Sequence, residues 1–252
     1  MSSSVMIFKD SDEVAAQAAD LIVQVTQKSI QARGRAMLAM AGGSTPKATY
    51  GLLAESPRCN RIDWAQTYLF FGDERFVLPD DPSSNFAMVQ KTLLEPLAAP
   101  VEHVFPIPTQ FSDAADAAAA YSVTLAKVFG VDDGADPPRF DLVLLGLGDD
   151  GHTASLFPGA ASLDITDLWV VASPPGTLPP PVERITLTFP VLNAAREILF
   201  LVAGENKAEA VYDVLEGKPS RQERPAAYVR PANGNLTWLL DEAAASRLTA
   251  QS

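Results

Sequence analysis

The feature that most constrains the fold of this chain is an alternation. Short, nearly continuous apolar runs are separated by longer stretches of helical period. The runs are VMIF (5–8), RAMLAMA (35–41), TYLFF (67–71), FDLVLLGLG (140–148), WVVAS (169–173), RITLTF (184–189), EILFLVAG (197–204) and NLTWLLD (235–241). Strands that read as unbroken apolar runs are covered on both faces, and strands alternating with helices build a mostly parallel sheet. The expected fold is therefore α/β: a mostly parallel sheet covered by helices on both faces, in a Rossmann-like three-layer arrangement.

The intervening segments support this. Residues 10–34 carry Val14, Ala18, Leu21, Ile22 and Val25 at helical spacing. Asp10 with Glu13 resembles a capping box, and Gly34 is a natural stop. Further helices are expected from Pro46 to Leu53, over Asn85–Leu94, over 112–129, over ENKAEAVYDVLEG, and after residue 241 at the end of the chain. VDDGADPP (131–138) reads as a surface turn. No repeat or long linker divides the chain, so residues 1–252 are read as a single domain.

Composition narrows the partners. The hydrophobic content of 47% is that of an ordinary globular protein. A net charge of -12 argues against nucleic acid and anionic membrane as main partners, although a local site can still take a small anion. The single cysteine, Cys59, excludes an internal disulfide and a cysteine-rich zinc site. MSSSVMIF lacks the pattern of a signal peptide, and no apolar stretch approaches the about 20 residues needed to span a bilayer. These observations lead us to expect a cytoplasmic protein.

In such sheets ligands bind beyond the carboxyl ends of the strands, so the loops there are read together. Gly42-Gly43-Ser44-Thr45-Pro46 joins a strand to a helix. It fits either a phosphate cradle on a helix N-terminus or simply a capped helix start. It is not a Walker A loop. Gly72-Asp73-Glu74-Arg75 puts three charges at a strand end, as a solvated loop, a structural ion pair or part of a site. GLGDDGHTASLFPG (146–159) holds His152, one of only two histidines, after Asp149, Asp150 and Gly151. A neighbouring carboxylate orients an imidazole and keeps it basic near neutral pH. His103 is too remote in pattern to make a metal pair with it. Ser155 lacks the GxSxG context of a nucleophile. Arg184 opens a strand. Lys207 lies in the first turn of a helix, where the dipole opposes it. Either a bound anion relieves that conflict or the lysine is merely solvated.

Taken together, the stretches AGGSTPKATY, FFGDERFVLPDDPSSNF, FDLVLLGLGDDGHTASLFPG, RITLTFPVLNAAREILFLVAGENKAEAV and LTWLLDEAAA resemble the 6-phosphogluconolactonase family, from about residue 38 to residue 245. Glucosamine-6-phosphate deaminases share the GSTP and DGH elements, but TASLFPG after DGH favours the lactonase. The resemblance implies hydrolysis of 6-phospho-D-glucono-1,5-lactone to 6-phosphogluconate in the oxidative pentose phosphate pathway. It implies a general-base role for His152. Asp150 would orient the histidine or bind sugar hydroxyls, and Asp73 and Arg75 match active-site positions. It places the substrate phosphate on Gly42, Gly43, Ser44, Thr45, Arg184 and Lys207. Asp149 stands where many members have glutamate, a change that should matter little if it faces solvent. No cofactor and no metal are implied. The expected partner is a small sugar-phosphate lactone, with no nucleic acid and no membrane, and the expected state is a monomer. The alternatives are a sugar-phosphate isomerase or deaminase using Asp73 as base, and a non-catalytic sugar-phosphate sensor.

Overall fold

The computed structural model describes residues 2–97, 101–132, 136–176 and 180–249. Seven strands form one parallel sheet: β1 (Ser2–Phe8), β2 (Ala36–Met40), β3 (Thr67–Phe71), β5 (His103–Val104), β6 (Leu142–Leu145), β9 (Glu197–Val202) and β10 (Asn235–Asp241), in the order β1-β10-β9-β6-β2-β3-β5. β2 and β6 are buried along their whole length, as their unbroken apolar runs require. A second sheet of three antiparallel strands has the order β4-β8-β7, with β4 (Asp73–Arg75), β7 (Val170–Ser173) and β8 (Arg184–Leu187). The helices are α1 (Ser11–Arg33), α2 (Ser44–Ala54), α3 (Asn85–Val89, continued by a π-helical turn Gln90–Leu94), α4 (Ala114–Phe129), α5 (Phe189–Ala194) and α6 (Ala208–Leu215).

Local chemistry sets the helix ends. Asp10 accepts hydrogen bonds from the N–H groups of Asp12 and Glu13, and Gly34 closes α1 at φ 74°. The box is shifted by one residue, because Glu13 accepts from Lys9 N–H rather than from Asp10. Asp113 and Gly130 bound α4 in the same way.

Three sequence expectations need correction. WVVAS and RITLTF are strands, but antiparallel ones outside the main sheet. The described residues of the connection between them form no helix, and a parallel pair needs a crossover of a dozen or more residues. Its residues 177–179, like 133–135 of the 131–138 turn, lie outside the described residues. GDERF is not a loop. Only Gly72 separates β3 from β4, so the chain steps straight from one sheet to the other, and Gly72 bonds to both, through Met40 O and Leu187 N–H. No helix follows β10 among the described residues, and 242–247 are turns. A segment so short does not recover the cost of helix nucleation without extensive packing.

Chain order runs outward from β2 to β3 and β5, then returns beside β2 as β6 and continues outward to β9 and β10. The reversal lies between β2 and β6. A crevice is expected at the carboxyl ends of those strands, and the small sheet leans over the same end.

Candidate active site

Two buried tyrosines fix the strand ends beneath the crevice. The Tyr50 hydroxyl accepts from Ala41 N–H and donates to Ala41 O, both at 2.9 Å. The Tyr121 hydroxyl does the same for Phe71, at 2.9 and 3.2 Å. Burial pushes both phenols well above their ordinary pKa, so each hydroxyl keeps its proton and serves as donor and acceptor. The residues that follow, Gly42-Gly43 and Gly72-Asp73, are thereby held over a cleft of about 210 Å³.

His152 stands on one wall. Its Nδ1 lies 2.6 Å from Asp150 Oδ1, and its backbone N–H donates to the same oxygen at 3.0 Å. Burial raises the Asp150 pKa, but the hydrogen bond from His152 and the imidazole charge outweigh it, so the carboxyl sits below its usual range. An ionised Asp150 accepts only. In the neutral ring Nδ1 therefore carries the proton, which leaves the lone pair on Nε2. Gly148 makes room for this pair: a Cβ there would lie 2.0 Å from His152 Nδ1. Phe157 packs against the imidazole with ring centroids 4.8 Å apart.

The opposite wall is cationic. The β4–β8 register places Arg75 directly across from Arg184. Burial, and after it the Arg75 charge, lower the Arg184 pKa, with Asp73 and Glu74 pulling the other way. Two guanidiniums lining one cleft, Arg184 buried and Arg75 partly so, attract an anion. Arg184 also donates to the carbonyls of Val182 and Pro180. Lys207 ends a 3-10 turn (Glu205–Lys207) and reaches the cleft from the β9 side. Its ammonium is paired with Asp149, which also accepts from Asn206 Nδ2 at 3.0 Å. That hydrogen bond from Lys207 is the main reason the Asp149 carboxyl lies below its usual range. The conflict with the helix dipole is thus relieved within the chain. Asp149 does face solvent, yet it is not idle.

Glu74 is neither solvated nor ion-paired. It is buried, and its carboxylate accepts from the N–H groups of Arg75, Asn85 and Phe86 at 2.7–2.8 Å and from the Ser84 hydroxyl at 3.0 Å. Burial pushes its pKa up while these four donors oppose the shift. Glu74 thereby pins β4 to the start of α3. Asp73 accepts from Ser155 Oγ at 2.7 Å.

The cleft brings together His152, Asp73, Arg75, Gly42, Gly43, Arg184 and Lys207. Asp150 sits behind His152. Ser44 and Thr45 line a neighbouring cavity of about 290 Å³ with Ser11 and Asp241 instead. His103 is remote, stacked on Tyr68 at 4.0 Å. Among the described residues no group of three His, Cys, Asp or Glu is placed to hold a metal ion, and no helix is long and apolar enough to cross a membrane.

Sequence reasoning missed Asn85 as a site residue. Its amide donates to Asp73 O at 2.9 Å and accepts from Arg75, tying the two together. It fills the space above Gly42, where a Cβ would lie 2.0 Å from its Oδ1. The SSNF segment of the quoted motif carried that signal.

The sequence matches the family described as glucosamine-6-phosphate isomerases/6-phosphogluconolactonase over residues 9–238. A probable 6-phosphogluconolactonase 2 from Oryza sativa subsp. indica is 36% identical, covering 99% of this chain and 91% of the relative. A 6-phosphogluconolactonase from Nostoc sp. is 37% identical, covering 99% and 100%. The solved 6-phosphogluconolactonase from Trypanosoma cruzi superposes with a TM-score of 0.87 at 31% identity over 99% of each chain. Site geometry, sheet topology and these likenesses agree, and the chain belongs to the glucosamine-6-phosphate isomerase/6-phosphogluconolactonase family.

Proposed function

We propose that this chain is a carboxylic ester hydrolase that converts 6-phospho-D-glucono-1,5-lactone to 6-phosphogluconate, with His152 as general base. The observation that carries the reading is the Asp150–His152 dyad facing a cleft whose other side holds Arg75, Arg184 and Lys207. The Oryza, Nostoc and Trypanosoma cruzi relatives, each more than 30% identical, carry the lactonase name.

Nε2 takes a proton from water as the water oxygen bonds to lactone C1. Asp150 stabilises the imidazolium that forms. Arg75 offers its N–H groups to the oxyanion. The tetrahedral centre collapses, the C1–ring-oxygen bond breaks, and the departing oxygen takes the proton back from His152. The lactone is already reactive, so no covalent nucleophile is required. Arg184, Lys207 and the backbone of Gly42 and Gly43 hold the phosphate, which orients C1 toward the base. Any share that Ser44 and Thr45 take in this is through their N–H groups at the start of α2. Asp73 positions Arg75 through Asn85 and meets a sugar hydroxyl. In this reading residues 1–252 form one domain, active as a cytoplasmic monomer, and sedimentation at the mass of one chain tests the last point.

The test is a direct assay on freshly generated lactone, corrected for spontaneous hydrolysis. His152→Gln should lose about 10²–10⁴-fold in kcat, and His103→Gln should behave as wild type. A folded His152→Gln with undiminished kcat refutes the base. Turnover in deuterated water separates the isomerase reading: a lactonase incorporates no deuterium at substrate C2.

A further inference from the structure

Arg224 lies outside every motif that drew attention in the sequence, yet it grips the loop that carries the base. Its Nη1 donates to Asp150 O at 2.9 Å. Its Nε and Nη2 both donate to Asp213 Oδ2, at 2.9 and 2.7 Å. Asp213 belongs to α6, and Glu209 of the same helix lies 4.0 Å from the guanidinium. One rigid fork thus joins α6 to the backbone between Asp150 and Gly151.

The grip is built rather than incidental. Arg224 precedes Pro225, which disfavours helical backbone at this position, and it adopts φ -137°. Two residues on, Ala226 N–H donates to Gly151 O at 3.0 Å, so the same segment holds two successive carbonyls of the catalytic loop. Gly151 sits at φ 81°, and a Cβ there would lie 2.4 Å from Arg224 Cδ. The loop therefore accepts the arginine only because residue 151 has no side chain.

We propose that Arg224, anchored on Asp213, is a positioning residue for the base: it fixes the Asp150 backbone, and so the carboxylate that selects the Nδ1–H form of His152. The inference builds on the hydrolytic role proposed for His152. Arg224 touches no substrate and acts through Asp150. Lysine does not replace it, since a single ammonium cannot serve the Asp213 carboxylate and the Asp150 carbonyl with the same fork. The charged groups that line the cleft with His152, namely Asp73, Arg75, Arg184 and Lys207, are left untouched by changes at Arg224 or Asp213.

The readout is nitrogen-15 NMR of the imidazoles in the substrate-free protein, at a pH where the spectra themselves show both rings neutral. With two histidines in the chain, His103 serves as the internal reference. The wild-type protein should hold His152 in the Nδ1–H tautomer. Free imidazole side chains favour the Nε2–H form, so Arg224→Met should shift His152 toward it and leave His103 unchanged. Arg224→Lys and Asp213→Asn should shift it in the same direction by less, and they carry the test if Arg224→Met does not fold. In the lactonase assay kcat should fall about tenfold with KM nearly constant, the mark of a misaligned base. A wild-type tautomer in folded Arg224→Lys and Asp213→Asn overturns the proposal. Because the spectra are taken without substrate, they decide it whatever the reaction proves to be. A shifted tautomer with undiminished kcat would sustain the positioning role and refute His152 as base instead.

Discussion

Replacing Gly148 by alanine adds one methyl group at the back of the dyad. Gly148 is buried and has no positive φ, so alanine fits its backbone. The new Cβ, however, would lie 2.0 Å from His152 Nδ1, 2.2 Å from Cε1 and 2.7 Å from Asp150 Oδ1. At a contact distance of about 3.5 Å the ring must retreat by more than about 1 Å. That movement breaks the 2.6 Å bond to Asp150. A hydrogen bond to a charged group contributes roughly 1.5–3 kcal/mol, so its loss alone costs about tenfold or more in rate. Misplacing the base by about 1 Å adds to this, for a total near 10²-fold. The assay is initial-rate hydrolysis of fresh lactone, with circular dichroism melts in parallel. The expected result is a kcat lowered about 100-fold, a nearly unchanged KM and a native fold. Gly51→Ala is the control: it lies in α2 with open space around it, and alanine in a helix raises stability by up to about 1 kcal/mol. A folded Gly148→Ala with kcat within about threefold of wild type would refute the reasoning, since the dyad geometry would then carry little of the rate.

Lys207→Ala should raise KM for the phosphorylated lactone about ten- to a hundredfold, from the loss of one charged hydrogen bond, and should affect unphosphorylated gluconolactone far less. Arg184→Lys, which keeps the charge in the buried β8 position, should do the same more mildly; equal losses on both substrates would speak for a structural role. Asp150 gives a pH prediction. Its folded pKa lies below the ordinary 3.8 because the His152 interaction outweighs burial. Its contribution to stability is then complete above 3.8 and is lost as pH falls through the folded value. The stability gap between wild type and Asp150→Asn, measured by urea melts, should shrink as pH falls below 3.8. A gap that widens in acid would contradict this sign.

The parts legible in the sequence are those governed by local rules. Apolar runs such as LVLL identified central strands because a strand covered on both faces has no polar side to show. Asp10 and Gly34 bounded α1 because capping and left-handed backbone are decided within a few residues. The loops of the cleft were found because a parallel sheet sends all its carboxyl ends to one side. The dyad was legible for the same reason of scale, since Asp150 and His152 are two residues apart.

What the tertiary structure alone decided is which distant groups meet. Arg224 reaches Asp150 across 74 positions, Ser155 reaches Asp73 across 82, and Lys207 reaches Asp149 across 58. No periodicity encodes such pairs. They arise from the order in which strands are laid beside one another and from the step at Gly72 that lifts Asp73–Arg75 into a second sheet. That step also settled the fate of three adjacent charges that looked alike in the sequence. Strand alternation sends Glu74 to the opposite side from its neighbours. It is buried among backbone donors, while Asp73 and Arg75 face the cleft. The sequence thus determined the layers and the end of the sheet where chemistry occurs. Packing decided the roles of the individual side chains there, because burial and distance are properties of the assembled chain.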